Sequence, residues 1–123
     1  SSSTPIAPPA CVVVGGETTV TLTETNGVGG RNQELALSAA IELDGIPNIT
    51  LASFATDGSD GPTTGAGGIV DGTTANRGRK KGLQIDDYLQ RHDSYHFLQS
   101  VGDLIETGPT LTNVNDLILL IVE

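Results

Sequence analysis

Short apolar runs, separated by glycine-rich polar loops, dominate the pattern of hydrophobic and polar positions along the chain. The runs at residues 11–14 (CVVV) and 117–122 (LILLIV) are continuous and rich in branched side chains. Such runs predict strands buried in a sheet, the second of them covered on both faces. Residues 49–55 predict a further strand. The alternating run at residues 17–22 follows a Gly-Gly pair, which predicts a hairpin or a bulged strand.

The segment from Arg31 to Leu43 has the strongest helical pattern. Its apolar residues recur every three or four positions and form a wide face, which is typical of a helix packed against a sheet. Weaker helices are expected at residues 66–71, 73–82, 86–89 and 93–101, and a brief strand at residues 104–105. Strands that alternate with helices predict an α/β layered domain, in which a mixed or mostly parallel sheet is flanked by helices.

The chain of 123 residues has the length of one domain. Residues 1–10 (SSSTPIAPPA) have the composition of a Pro/Ser linker, so the folded domain is expected over residues 11–123. The sequence contains no Met. We therefore expect it to be a fragment or a processed product whose true start lies upstream.

Charge and cysteine content limit the partners and the compartment. Six Lys and Arg residues stand against fifteen Asp and Glu residues, which gives a net charge of −9. A chain this acidic repels polyanions, which argues against nucleic acid and anionic membranes as partners. No apolar stretch in the sequence has the length needed to cross a bilayer. The single cysteine, Cys11, cannot form an internal disulfide, and this favours a reducing, cytoplasmic setting.

The loop at residues 27–32 (GVGGRN) precedes the strongest helix and is a candidate anion site. Gly29 and Gly30 allow the backbone to approach a ligand closely, and the start of a helix directs N–H groups and partial positive charge toward it. Arg31 adds a planar cation suited to carboxylate or phosphate. The alternative is a glycine turn with Arg31 in a surface salt bridge, and the sequence does not separate the two. A dinucleotide fingerprint is excluded, because Asn32 stands where its third glycine is required.

Two further polar loops carry candidate ligands. Asp57 and Asp60 lie in a loop that follows a predicted strand, and two carboxylates can hold Mg²⁺ together with water and phosphate oxygens. The alternative is a pair of Asp-Gly turns, because Asp readily bonds its own backbone. The loop at residues 107–115 offers hydroxyls and amides to a polar ligand, or it forms a well-bonded turn.

The histidines are weaker candidates. His92 and His96 are four residues apart, but a helix-cap signal falls between them and no third metal ligand is evident. A surface placement is therefore favoured. The basic cluster at residues 77–81 most simply forms a solvated helix face.

Several strings of the sequence, taken in order, resemble the MOFRL domain. The resemblance covers about residues 11–122, and the ordered set is far more specific than any one string. The strings lie at residues 15–20 (GGETTV), 29–37 (GGRNQELAL), 56–62 (TDGSDGP), 93–95 (DSY) and 107–117 (TGPTLTNVNDL).

The resemblance implies a fold, an activity and partners. MOFRL is the C-terminal domain of glycerate 2-kinases, which are sometimes named hydroxypyruvate reductases. Membership implies that D-glycerate and ATP meet in a cleft between this domain and a larger N-terminal α/β domain, which this chain lacks. The reaction implied is transfer of the γ-phosphoryl group from ATP to the 2-hydroxyl of glycerate. The oligomeric state is not given by the sequence, and a homodimer stays open.

The resemblance also carries site residues over by position. Arg31 is the expected catalytic residue, because the family arginine of this motif lies in the cleft. It would clamp the glycerate carboxylate or the charge of the transferring phosphoryl group. Asp57 and Asp60 are the expected Mg²⁺ ligands. The residues expected to bind substrate or phosphate are Glu17, Gly29, Gly30, Asn32, Thr110, Asn113 and Asn115.

Three positions depart from the family pattern and keep alternatives open. Leu111 stands where Gly is usual, Thr64 where an acidic residue is common, and His92 where Asn is frequent. Because Leu111 can narrow its loop, substrate preference is less certain. The alternatives are a hydroxypyruvate reductase and a non-catalytic module of the same fold that binds a small anion.

Overall fold

The structure is a computed structural model, and it describes residues 10–16, 27–110 and 116–123. The helices and strands follow one another in a simple order. They are β1 (Ala10–Gly16), α1 (Arg31–Leu43), β2 (Ile49–Ala55), β3 (Gly67–Asp71), α2 (Thr74–Lys80), α3 (Ile85–Gln90), α4 (Ser94–Val101), β4 (Leu104–Ile105) and β5 (Asp116–Val122).

The five described strands form one sheet in the order β1-β5-β2-β3-β4, and every pair of neighbours is antiparallel. The prediction of a mixed or mostly parallel sheet is therefore wrong. The error begins at residues 66–71, for which the sequence predicts a helix and the structure has β3. A parallel neighbour needs a crossover, usually a helix. Without one, β3 returns beside β2 in the antiparallel direction.

The four helices share one hydrophobic core with one face of the sheet. Val70 on β3 lies opposite Leu51 on β2 in the register, and both belong to this core. The next residue, Ile69, points to the other face and is 43% exposed. The largest completely buried side chains of the core are Leu37, Phe97 and Leu98. In the described residues the domain thus has two layers, an antiparallel sheet and the helices that pack on one of its faces.

Strand β1 is less buried than its sequence suggests. Val13 and Val14 are 59% and 50% exposed, and Cys11 is exposed as well. The prediction of a buried strand is wrong, because β1 lies at the edge of the sheet with β5 as its described neighbour. Residues 117–122 of β5 are half-buried rather than covered on both faces. The strand-like run at residues 17–22 lies outside the described residues.

Several predicted boundaries are confirmed. Helix α1 runs from Arg31 to Leu43, as its periodicity predicts. Helix α4 begins after Asp93 and ends at Gly102, whose φ of 82° is the left-handed conformation that favours glycine. Strand β1 begins at Ala10, the last residue of the predicted linker, and residues 1–9 of that linker lie outside the described residues. No helix in the described parts of the chain is long and apolar enough to span a membrane.

The predicted basic face of α2 is partly used inside the domain. Arg77 donates to Asp103 at 2.7 Å, and this hydrogen bond raises the pKa of Arg77. Arg79 forms two hydrogen bonds with Asp44, at 2.9 and 3.0 Å. Both pairs fasten α2 to neighbouring elements. The basic cluster therefore has a structural role beyond a solvated surface.

Candidate functional site

The register of the sheet aligns the ends of β1 and β2 with the start of β5. Strand β1 ends at Gly16, β2 ends at Ala55, and β5 begins at Asp116. In the register Asp116 is the partner of both Gly16 and Ala55. The last residues of β1 and β2 and the first residue of β5 therefore lie side by side at one end of the sheet. Three of the predicted motifs, the strings at residues 15–20, 56–62 and 107–117, include or directly follow these strand ends.

Arg31, the first residue of α1, contacts the start of β5 at this end of the sheet. Its Nε donates to Asp116 Oδ2 at 2.6 Å, and its Nη2 donates to Asp116 Oδ1 at 3.0 Å. The Asp116 side chain is 2% exposed, whereas that of Arg31 is 39% exposed. Arg31 thus forms an ion pair, as one of the two sequence alternatives expects. The Arg31 side chain is still partly exposed, so the ion pair does not decide whether Arg31 also binds a ligand.

The anion at the start of α1 belongs to the protein itself. Asp60 accepts hydrogen bonds from the backbone N–H groups of Asn32 and Gln33, at 3.0 and 2.8 Å. It also accepts one from the Asn32 side chain at 3.2 Å. Asp60 is completely buried. These contacts support a structural role for Asp60, and its assignment to Mg²⁺ stays a prediction.

The glycines of the first loop allow segments of the protein to approach one another. A Cβ atom on Gly30 would collide with the backbone and carboxyl carbon of Asp60, and one on Gly29 would collide with Ser94. Gly61 has a φ of +68° and lies against the Gly29 carbonyl. The structure thus explains Gly29 and Gly30 by close packing of loops. Their contact with a ligand stays a prediction, as does that of Asn32.

The loop that contains Asp57 and the loop that contains Thr110 are hydrogen-bonded to each other. The N–H of Thr110 donates to the carbonyl of Asp57 at 3.2 Å, and the Thr110 hydroxyl donates to the carbonyl of Thr56 at 2.7 Å. Asp57 Oδ1 accepts a hydrogen bond from the N–H of Ser59 at 2.9 Å, which is the predicted Asp turn. The predicted role of Thr110 in ligand binding is not decided by these contacts.

Part of the predicted site is outside the structure. Glu17, Asn113 and Asn115 lie outside the described residues, and so does Leu111. Among the residues that are described, no group of three or more His, Cys, Asp or Glu side chains is arranged to hold a metal ion. A metal ion bound to the described residues would therefore need further ligands, such as water and phosphate oxygens.

Two open grooves lie beside the loops and share Thr63 and Thr64. One has a volume of about 310 Å³ and is also lined by Tyr95, and the other has a volume of about 260 Å³ and is also lined by Asp57. The Thr64 hydroxyl donates to Glu106 at 2.7 Å and lies 3.1 Å from the Tyr95 hydroxyl. An acidic residue at position 64 would place a second carboxylate against Glu106. Thr64 instead donates a hydrogen bond to Glu106 and avoids that repulsion.

The histidines do not form a pair. His92 Nδ1 lies 2.5 Å from Glu34 Oε1, and His96 Nδ1 lies 2.7 Å from Asp93 Oδ1. His92 has a φ of 56°, in the left-handed region where Asn is the more frequent residue. This conformation is one that Asn adopts more readily than most other residues.

Sequence reasoning did not single out Asp116, which is the partner of Arg31. Asp116 enters the sequence analysis only as part of the string at residues 107–117 that resembles the family. The signal that can identify Asp116 is an acidic side chain immediately before a wholly apolar run. The start of such a strand is buried, and a buried carboxylate needs a cation as its partner.

Comparison with known proteins identifies the family of the chain. Residues 10–116 match the MOFRL family. A D-glycerate 2-kinase from Thermotoga maritima is 56% identical over 115 residues, which are 94% of this chain and 27% of that protein. A putative hydroxypyruvate reductase from Agrobacterium vitis is 44% identical over 119 residues, which are 96% of this chain and 31% of that protein.

A solved structure has the same fold. The crystal structure of glycerate kinase from Thermotoga maritima superposes with a TM-score of 0.95 and 52% sequence identity, over 99% of this chain and 29% of that one. The chain thus spans less than a third of the length of the relatives that it matches. The family match extends over most of the chain and includes Arg31, Asp60 and Asp116. The chain belongs to the MOFRL family.

Proposed function

We propose that this chain is the C-terminal part of an ATP-dependent glycerate 2-kinase. It would form one wall of a cleft in which the γ-phosphoryl group of ATP passes to the 2-hydroxyl of D-glycerate. The observation that carries the proposal is the Arg31 side chain, which is 39% exposed and is held by Asp116 at the start of β5, in a chain 56% identical to a D-glycerate 2-kinase.

The other wall of the cleft would come from a larger N-terminal domain. Two facts support this division of labour. The chain covers only 27% of the Thermotoga maritima relative. Its net charge of −9 also repels ATP and glycerate, so most of the positive charge for binding them must come from elsewhere. Arg31 would then be the cation that this domain contributes.

The chemistry suits an arginine. Phosphoryl transfer depends on positioning the reactants and on neutralising charge on the transferred group. A guanidinium offers several N–H donors in one plane and stays protonated at any working pH. Arg31 would hold either the glycerate carboxylate or the oxygens of the transferring group. Both roles require the planar group to be oriented before the substrate arrives.

Mg²⁺ would be held mainly by Asp57. This residue is half-buried and lies against the second groove, and its described hydrogen bond uses Oδ1 alone. Mg²⁺ commonly takes one or two carboxylates and completes its shell with water and phosphate oxygens, so the residues present fit the ion. When bound, it would neutralise charge on the ATP phosphates. The buried Asp60 fits the ion less well, because both its oxygens already accept hydrogen bonds.

The remaining residues of the cleft are proposed from the resemblance. Thr110 is bonded to the loop of Asp57 and would shape the cleft from that side. The residues proposed to line the cleft beside it are Glu17, Gly29, Gly30, Asn32, Asn113 and Asn115. A cytoplasmic location is proposed with them, because the single cysteine of the chain is unpaired.

A second candidate activity is reduction of hydroxypyruvate. The name of the Agrobacterium vitis relative favours it. The loop at residues 27–32 opposes it, because it lacks the third glycine of a dinucleotide fingerprint.

One experiment separates the two activities. The full-length protein is incubated with D-glycerate, ATP and Mg²⁺, and the products are identified by ³¹P NMR. In parallel, NADH oxidation is followed with hydroxypyruvate. We expect ADP and 2-phosphoglycerate, and no NADH oxidation above background. NADH oxidation without phosphorylation would overturn the kinase proposal.

A further inference from the structure

The contact between Arg31 and Asp116 has a specific geometry. Nε and Nη2 each donate to a different oxygen of the carboxylate, at 2.6 and 3.0 Å. Two parallel hydrogen bonds between planar groups fix the orientation of the guanidinium as well as its distance. A lysine in this position would be attracted to the carboxylate but would have no defined plane. Asp116 therefore determines the direction in which the Arg31 guanidinium faces.

Both ends of the contact are held by the fold. Asp116 is the first residue of β5, and its backbone lies in register with Gly16 on one side and Ala55 on the other. Arg31 is the first residue of α1, and Asp60 bonds the next two backbone N–H groups. Neither residue can shift without moving a strand or a helix. The direction of the guanidinium is thus set before any substrate binds.

The charges argue for orientation rather than for attraction. A carboxylate beside Arg31 cancels part of its positive charge, which weakens its pull on an anionic substrate. A site built only to attract anions would leave Asp116 out. Asp116 is also 2% exposed, and a buried carboxylate requires its cation. The pair fits a guanidinium of fixed orientation on a side chain that is partly exposed.

We propose that Asp116 is a positioning residue of the transfer site, which orients the Arg31 guanidinium toward the cleft. This inference rests on the proposed function. It assigns to Asp116 an effect on the rate of the bound complex. Substrate affinity should change less. The charge of Arg31 is retained when the Asp116 carboxylate is removed, and its attraction for an anionic substrate is no longer partly cancelled.

The test is a double-mutant cycle in the full-length protein with D-glycerate and ATP. Asp116→Asn should lower kcat by about tenfold to a hundredfold, with a smaller change in KM. In a protein that already carries Arg31→Ala, adding Asp116→Asn should cause no further loss of kcat, because a positioning residue acts only through its partner. Equal loss in both backgrounds would show a merely structural role and overturn the inference.

Chemical rescue gives a readout that stability cannot imitate. Added guanidinium chloride should restore part of the activity of Arg31→Ala, since the Asp116 carboxylate can bind the small cation in the vacated space. It should not restore the Arg31→Ala/Asp116→Asn variant. Equal rescue of both variants would contradict the inference. Asp44→Asn, which breaks the matched two-bond pair with Arg79 on the surface, serves as the control and should leave kcat unchanged.

Arg31→Lys keeps the inference testable if Asp116→Asn does not fold. It preserves the positive charge beside the buried carboxylate but loses the fixed plane. We expect its kcat to fall by about tenfold or more. An unchanged kcat would show that charge alone suffices, and the positioning role would be wrong. If Arg31→Ala itself keeps full activity, the proposed function of Arg31 fails as well, which distinguishes the two failures.

Discussion

Asp60 accepts hydrogen bonds from both the backbone and the side chain of Asn32, at 3.0 and 3.2 Å, although 28 residues separate them in the chain. The bonds fasten the loop after β2 to the start of α1. They also fill the position at which a helix start otherwise attracts an external anion. A ligand that approaches the start of α1 would therefore contact Arg31 before the helix N–H groups.

Removing the Asp60 carboxylate should strongly destabilise the fold. Asp60→Ala leaves the backbone N–H groups of Asn32 and Gln33 without their acceptor in a buried site. We expect the free energy of unfolding to fall by about 3 kcal/mol. Urea denaturation measures the change. Asp86→Ala, which alters an exposed carboxylate in the first turn of α3, should change it by less than about 0.5 kcal/mol. Equal effects of the two variants would refute the buried role of Asp60.

Gly30 should not tolerate a side chain. A Cβ atom there would collide with Asp60, so Gly30→Ala forces the loop away from the helix start. We expect a loss of about 2 kcal/mol in the free energy of unfolding. Gly15→Ala is the matched control, because its Cβ would lie 3.7 Å from the nearest atom, on Leu117, which is an ordinary contact. The packing argument would be wrong if Gly30→Ala were as stable as Gly15→Ala.

The carboxyl group of Asp71 should titrate abnormally. The Thr73 hydroxyl donates to Asp71 Oδ1 at 2.6 Å, and this bond is the main reason that the pKa of Asp71 is lowered. A lowered pKa favours the ionised form in the folded state. Its stabilisation is therefore present above about pH 4 and is lost as the pH falls through the folded pKa.

Thr73→Val should consequently raise the pKa of Asp71 toward its ordinary value. The pKa is read from the ¹³C chemical shift of the Asp71 carboxyl group as the pH is lowered. Thr107→Val is the control, because the Thr107 hydroxyl donates to the Gly108 carbonyl in another loop. A pKa that is unchanged by Thr73→Val, or changed equally by both variants, would count against the assigned cause.

His92 provides a test of backbone conformation. Its φ of 56° suits Asn better than a β-branched residue. Both His92→Asn and His92→Val remove the contact with Glu34, so comparing the two isolates the backbone effect. We expect the Val variant to be less stable than the Asn variant by about 1–2 kcal/mol in urea denaturation. Equal stability would mean that residue 92 relaxes to another conformation.

The parts of the fold predicted correctly from the sequence are those set by local pattern. Helix α1 follows from the spacing of its own apolar residues, and the end of α4 follows from Gly102. Strand β3 was mistaken for a helix, because its five residues are too short for a clear period and begin with two glycines. With β3 lost, the direction of the whole sheet was predicted wrongly.

For the candidate site, too, the sequence predicts features that depend on neighbouring residues but not contacts between residues far apart in the chain. The loop with Arg31 was selected as a candidate site from its own residues, and its role stays a prediction. The partner of Arg31 is 85 residues away, and that of Asn32 is 28 residues away. No local pattern contains such pairings. The contact of Arg31 with Asp116 forms because β5 lies between β1 and β2, and the contact of Asn32 with Asp60 forms because the loop after β2 packs on the start of α1. The burial of β1 was overestimated for a related reason, since an apolar run does not reveal which element covers it.

The most direct test of the central claim is the kcat of Arg31→Ala in the full-length protein. Phosphorylation of D-glycerate by ATP is followed through ADP release, with Arg79→Ala as a matched loss of a surface arginine. If Arg31 acts on the transferred group or the substrate carboxylate, kcat should fall by about a thousandfold or more, while Arg79→Ala stays near wild type. An unchanged kcat in Arg31→Ala would contradict the role given to Arg31.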